Sequence, residues 1–254
     1  MASGRMVWCD LMTSDTGKAK DFYTKLMGWS VTPFPMGGGE PYEMWTNGEA
    51  PLGGVMRNPA PGVPSHWLTY VAVDNVDASH ARALKMGASQ HVPPTDIPTV
   101  GRFSVIQDPQ GAAIALFTPA PGSPDMPDTP PGKGQISWYE LATSDLDGAR
   151  AFYSDLFGWE MRDAHDMGEM GPYQIFGRKG VAHDTGGMFK RPPQMPVSAW
   201  ALYARVDDIQ KSTETAKKLG ATIINGPMEV PGGDWIVQFI DPVGAMFALH
   251  QTAK

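Results

Sequence analysis

The sequence predicts an α+β protein of mixed sheets, built from four strand-helix-strand units in two tandem copies. Three observations carry that expectation. Residues 8–29 read WCDLMTSDTGKAKDFYTKLMGW, and residues 138–159 read WYELATSDLDGARAFYSDLFGW, identical at half of the aligned positions. Residues 66–77, HWLTYVAVDNVD, are answered by SAWALYARVDDI at 198–209. Residues 108–117, DPQGAAIALF, are answered by DPVGAMFALH at 241–250. Self-similarity over more than a hundred residues, far beyond the length of a solenoid repeat, marks a duplicated domain.

The elements follow in order within each copy. Residues 7–13 form a strand, and Asp15 or Asp145 stands where a helix N-cap belongs. Ala19, Phe22, Tyr23 and Leu26 fall at i, i+3, i+4 and i+7 and give one apolar helical face. Ala149, Phe152, Tyr153 and Leu156 repeat it. Gly28 and Gly158 end these helices. Short strands follow near residues 42–46 and 53–56. Next comes a second strand at 67–73, then a helix at 76–86 closed by Gly87, then strands near 103–107 and 112–118. The Asp-Pro-x-Gly segment is a turn signal, and the apolar run behind it is a buried strand. Residues 96–103, DIPTVGRF, read as a loop whose counterpart at 229–235, EVPGGDW, has different chemistry. The expected domains are residues 1–118 and 136–254, joined by a proline- and glycine-rich linker at 119–135.

Composition bounds the function. The chain of 254 residues carries a formal charge of −7, which argues against nucleic-acid binding, since phosphate needs a basic face. Neither a signal peptide nor a membrane span is indicated, and Cys9 is the only cysteine, so a reducing cytoplasm is the expected compartment.

The order TSDxxxAxxFYxxLxGW, then VAVDNVD or ARVDDI, then DPxGxxxxL, occurring twice, resembles the vicinal oxygen chelate superfamily of glyoxalases, bleomycin-resistance proteins and extradiol dioxygenases. The resemblance implies four βαβββ modules whose curved sheets close into cups for a ligand or metal. It also implies where a divalent metal would be held, by His and Glu on cup-facing strands. Those positions fall on Trp8 and Trp138, near Leu68 and Ala201, and on Ala115 and Ala248. None of these side chains coordinates a metal, so no metal or other cofactor is expected.

Strand periodicity supplies other candidates. Asp10 shares a face with Trp8, and Glu140 shares one with Trp138. Each acid is a candidate general base or a ligand contact, with pairing to a backbone amide or tyrosine as the structural alternative. Tyr70 and Tyr203 lie two residues beyond the fifth-strand ligand positions and offer an aromatic wall with one polar handle. Trp67 and Trp200 have the opposite parity and are expected beneath the helices. Arg102 offers a fork for an anionic ligand. The six histidines show no metal spacing, although His66 and His250 share the parity of the ligand positions. The expected ligand contacts are Trp8, Asp10, Tyr70, Arg102, Trp138, Glu140 and Tyr203. The expected function is metal-independent binding of a small, flat or aromatic molecule. An isomerase, lyase or dioxygenase-like enzyme using a cup carboxylate is the alternative. No nucleic-acid or membrane partner is expected, and the chain is read as a monomer or homodimer.

Overall fold

Each βαβββ module begins with a strand that runs into a capped helix. In the computed structural model, which describes residues 3–35, 41–124 and 128–253, Asp15 and Asp145 accept backbone N–H bonds from Lys18 and Gly148 at 2.9 and 3.1 Å. Such a cap is worth about 1 kcal/mol. Gly28 and Gly158 then stop the helices with φ of 72° and 69°, a left-handed turn that a side chain resists.

The first module holds β1 (Met6–Thr13), α1 (Thr16–Met27), β2 (Ser30–Phe34), β3 (Tyr42–Asn47) and β4 (Ala50–Arg57). The second holds β5 (His66–Ala72), α2 (Val76–Lys85), β6 (Ser89–Ile97), β7 (Gly101–Gln107) and β8 (Ala113–Pro119). The third holds β9 (Ile136–Thr143), α3 (Leu146–Phe157), β10 (Trp159–Asp166), β11 (Pro172–Arg178) and β12 (Asp184–Lys190). The fourth holds β13 (Ala199–Arg205), α4 (Ile209–Lys218), β14 (Thr222–Glu229), β15 (Trp235–Ile240) and β16 (Met246–Gln251). The strands form two eight-stranded mixed sheets, ordered β2-β3-β4-β1-β5-β8-β7-β6 and β10-β11-β12-β9-β13-β16-β15-β14. Within each module the first strand pairs in parallel with the last, as Asp10 with Gly54 and Tyr203 with Ala248.

The strands at the sheet edges escape the apolar pattern, β2 and β10 among them. β6 and β14 are largely exposed edge strands with register shifts, and β6 carries Pro93 and Pro94. Neither alternates cleanly, so no burial period announces them. The loop expected at 96–103 is correspondingly shorter. Asp96 and Ile97 end β6, Gly101, Arg102 and Phe103 begin β7, and only residues 98–100 turn. Residues 125–127 of the expected linker lie outside the described residues.

The chain forms two compact units that each draw on both sequence halves. The first comprises Met1–Trp8, Thr69–Thr129 and Tyr139–Trp200. Its core joins α2 and α3 to the strands around them, with Val71, Ile106, Leu116, Leu141 and Phe152 buried. Here the Tyr153 hydroxyl donates to Asp108 at 2.8 Å and accepts the Trp200 indole N–H at 3.1 Å. The second carboxylate oxygen of Asp108 accepts the backbone N–H groups of Gln110 and Ala112 at 2.9 and 2.8 Å. Burial pushes the Asp108 carboxyl above its usual value against those bonds. Trp159 stacks on Tyr153 at 5.5 Å and donates to the Gly4 carbonyl at 2.7 Å.

The second unit comprises Cys9–Leu68, Pro130–Trp138 and Ala201–Lys254. It repeats the arrangement with exchanged partners. Tyr23 donates to Asp241 at 2.8 Å and accepts from Trp67 at 3.1 Å, and Trp29 donates to Gly134 O at 2.7 Å. Trp67 and Trp200 thus lie against helix tyrosines, as their parity predicts. Each repeated Asp-Pro-x-Gly turn therefore positions an acid that receives the helix tyrosine of the opposite half.

Candidate functional site

Asp10 leaves β1 with its carboxylate directed at the strand beside it. Its partner in register is Gly54 of β4, and the acid is only 4% exposed. The Tyr42 hydroxyl, reaching from β3, donates to Asp10 Oδ1. The glycine makes this approach possible. A Cβ built on Gly54 would lie 1.9 Å from the tyrosine oxygen and 2.6 Å from Asp10 Oδ1. No side chain fits under that phenol.

The first unit repeats the constellation. Glu140 of β9 pairs in register with Gly187 of β12 and is 8% exposed. Tyr173 of β11 donates to Glu140 Oε2 at 2.9 Å, and a Cβ on Gly187 would lie 2.1 Å from its ring. Both acids are therefore hydrogen-bonded to a tyrosine, a pairing weighed from the sequence. Tyr42 and Tyr173 were not singled out there. The signal was present in the repeat, as Pro41-Tyr42 against Pro172-Tyr173, followed in both halves by a Gly-Gly pair in the next strand.

The sheets also carry two unequal rows. In the second unit, Tyr203, Ala248, Gln238 and Asn225 stand in register across β13, β16, β15 and β14. Gln238 Nε2 donates to the Tyr203 hydroxyl, and Asn225 Nδ2 donates to Gln238 Oε1 at 3.1 Å. Half-buried Trp138 packs on Ala201, Tyr203 and Ala248. In the first unit the matching row is Tyr70, Ala115, Val105 and Val92. Tyr70 there meets the Phe103 ring at 6.3 Å. One row is polar where the other is aliphatic, so the two sheets present different surfaces from the same fold.

Trp8 is half-buried in the first unit. Arg102 sits at the start of β7 with its fork occupied. Nε and Nη2 donate to Asp77 at 2.8 and 2.9 Å, and Nη1 donates to Asp96 at 2.7 Å. These bonds hold the Asp77 carboxyl below its usual value, so an incoming anion must displace two carboxylates. Cys9 is buried, its thiol directed at Leu52 O at 3.6 Å, and burial pushes its pKa up strongly. His66 is hydrogen-bonded to the Pro64 carbonyl at 2.9 Å, whereas His250 joins Ser137 and Asp234.

The positions that the resemblance assigns to metal ligands do not fit a His- and Glu-held ion. Leu68, Ala115, Ala201 and Ala248 are buried and present only carbon, and Trp8 and Trp138 present indole rings. Among the described residues, no group of three or more His, Cys, Asp or Glu side chains could hold a metal. A polar cavity of about 270 Å³ lies elsewhere, lined by Asp207, Asp208, Trp235 and Gln251 at the start of α4. No helix among the described residues is long and apolar enough to cross a membrane.

Comparison with known proteins agrees with this architecture. The model of the glyoxalase/bleomycin resistance protein/dioxygenase superfamily matches residues 5–116 and 135–249. CFP32 of Mycobacterium tuberculosis, a glyoxylase by name, is 40% identical over 119 residues, covering 47% of this chain and 46% of that protein. That match spans about half the length of the relative. The anthracycline biosynthesis protein DnrV of Streptomyces peucetius is 29% identical over 272 residues, covering all of this chain and 95% of that protein. The Mn(II)-bound glyoxalase of Novosphingobium aromaticivorans superposes with a TM-score of 0.68 at 16% identity, over 100% of this chain and 83% of that one. At that identity the likeness is one of fold.

Proposed function

Because this chain belongs to the glyoxalase/bleomycin resistance protein/dioxygenase superfamily, we propose that it binds a small, flat aromatic molecule on its sheet faces without a metal. The observation that carries the reading is the pairing of Asp10 with Tyr42 over Gly54, repeated as Glu140 with Tyr173 over Gly187. Each pair sets a buried carboxylate and a phenol oxygen over a glycine of the neighbouring strand. Such convergent polar groups orient a ligand whose remaining surface is covered by rings. Trp138 and Tyr203 supply ring surface in the second unit, and Tyr70 with Phe103 supplies it in the first. The full-length similarity to an anthracycline biosynthesis protein supports a polycyclic aromatic ligand.

The test is a tryptophan-fluorescence titration and a thermal-shift assay with anthraquinones, naphthoquinones and an anthracycline, run with and without EDTA. At one hundred times Kd, a bound ligand stabilises the fold by about 2.7 kcal/mol. Saturable quenching unaffected by EDTA supports the proposal. The absence of any shift across the panel removes it, and a shift abolished by EDTA removes its metal independence.

A second reading is favoured by the burial of the two acids. In an enzyme of the same superfamily, Asp10 or Glu140 would take a proton from a bound substrate, with the tyrosine hydroxyl holding the resulting acid. Asp10→Asn and Glu140→Gln would then stop turnover while leaving ligand binding in place. Loss of neither activity nor binding in both variants would remove this reading.

A further inference from the structure

Beyond ligand binding, the second unit holds a hydrogen-bonded chain of three side chains that sequence order does not announce. Ser137 Oγ lies 2.9 Å from His250 Nδ1, and His250 Nε2 lies 2.7 Å from Asp234 Oδ2. The other Asp234 oxygen accepts the backbone N–H of Ala253 at 2.7 Å, which fixes the carboxylate. We propose that Ser137, His250 and Asp234 form a nucleophile, base and orienting acid competent to transfer the acyl group of a small ester.

The proton positions follow from the partners. A carboxylate only accepts, so Nε2 carries a hydrogen, and in the neutral form of the ring Nδ1 then holds the lone pair. The Ser137 proton then has two acceptors, Nδ1 at 2.9 Å and the Tyr203 carbonyl at 3.2 Å. The shorter bond leads to the base that Asp234 supports. In the reaction, Oγ bonds to the ester carbonyl carbon while its proton passes to Nδ1. The carbon–alkoxide bond breaks, and the leaving alkoxide takes that proton. Water then attacks the acyl-serine, its proton passing through Nδ1 back to Oγ, and the carboxylic acid departs.

Two further observations support the assignment. His250 is 13% exposed at its side chain, and Asp234 is 35% exposed, so solvent reaches the chain. Ile236 stands opposite His250 in register, which puts an apolar side chain beside the base. The duplicated half also serves as a control on fold requirements. Its matching positions are Val7, Gly101 and Phe117, none of which can carry the chemistry. The corresponding strands of the other half therefore form without the relay.

The experiment treats the full chain with a fluorophosphonate probe and with p-nitrophenyl acetate, followed by peptide mass spectrometry. The expected result is a single adduct on Ser137. Ser137→Ala abolishes it, and His250→Ala slows labelling at least about 100-fold. Asp234 acts through His250 as a positioning residue, so Asp234→Asn slows labelling while Asp234→Glu restores part of the rate. Should Ser137→Ala fail to fold, Ser137→Cys retains the shape and is alkylated faster with His250 present than with His250→Ala. No adduct at Ser137, labelling no faster than at exposed Ser123, or a rate indifferent to His250→Ala would each overturn the proposal.

Discussion

Tyr23 and Asp241 lie 218 positions apart in the chain, yet the tyrosine hydroxyl donates to the carboxylate at 2.8 Å in the interior of one compact unit. The same hydroxyl accepts the Trp67 indole N–H. One tyrosine thus joins the first helix, the fifth strand and the final turn of the chain. Replacing it by phenylalanine leaves two buried polar groups short of a partner, at about 1–3 kcal/mol. Urea denaturation of Tyr23→Phe should show that loss at an unchanged m-value. A midpoint equal to that of the native chain would mean that the bond contributes no net stability.

Asp241 also gives the fold a pH dependence of known sign. Burial raises its carboxyl above the ordinary 3.8, with the Tyr23, Val243, Gly244 and Ala245 bonds opposing the rise. The native state therefore binds a proton more tightly than the unfolded chain does. The stability contributed by this group is fullest below pH 3.8 and declines as pH rises through the raised value. Measured as the difference between the native chain and Asp241→Asn, stability should shift towards the variant on going from about pH 3.5 to about pH 6. A difference that moves the other way would assign the acid a depressed value instead.

Gly54→Ala should act through Tyr42. The added Cβ falls 1.9 Å from the phenol oxygen, so the ring must leave Asp10 or the strands must part. Overpacking of this kind costs about 1–3 kcal/mol. Part of the cost should be recovered in the double variant Gly54→Ala with Tyr42→Ala, the remainder being the 2.6 Å approach to Asp10 Oδ1, and that non-additivity marks direct contact. Strictly additive losses in thermal denaturation would show that the clash is relieved elsewhere.

Cys9 should be silent in the folded protein. Its thiol is buried, and its pKa is pushed up by that burial and by the neighbouring Asp10 charge, so almost no thiolate forms at neutral pH. Iodoacetamide should leave the mass unchanged in buffer and add one carbamidomethyl group in denaturing urea. Rapid modification under native conditions would place β1 among the segments that open locally.

Much of this architecture was legible in the sequence because burial leaves a periodic trace. The caps at Asp15 and Asp145, the Ala-Phe-Tyr helical stripe and the glycine stops all lie where local rules place them. The edge strands β6 and β14 left no such trace, since a strand exposed on its outer side has no apolar period to show. At the site, Asp10 and Glu140 were recognisable as buried acids, but their partners were not. Tyr42 lies 32 positions from Asp10 and Tyr173 lies 33 from Glu140, and only strand register brings each pair together. Arg102 illustrates the opposite case: an available fork in the sequence proved to be engaged by Asp77 and Asp96.

By itself the sequence determined the duplication and, in each module, the opening strand and the helix that follows it. These are properties of composition and local spacing, and folding does not alter them. Tertiary structure decided which half supplies each partner. Asp108 meets Tyr153 and Asp241 meets Tyr23, although the repeat alone allows each tyrosine to pair within its own half. It also decided that Ser137, Asp234 and His250 form one chain of bonds. Strand register is a long-range property, and two equivalent copies of one motif contain no local signal that favours one pairing over the other.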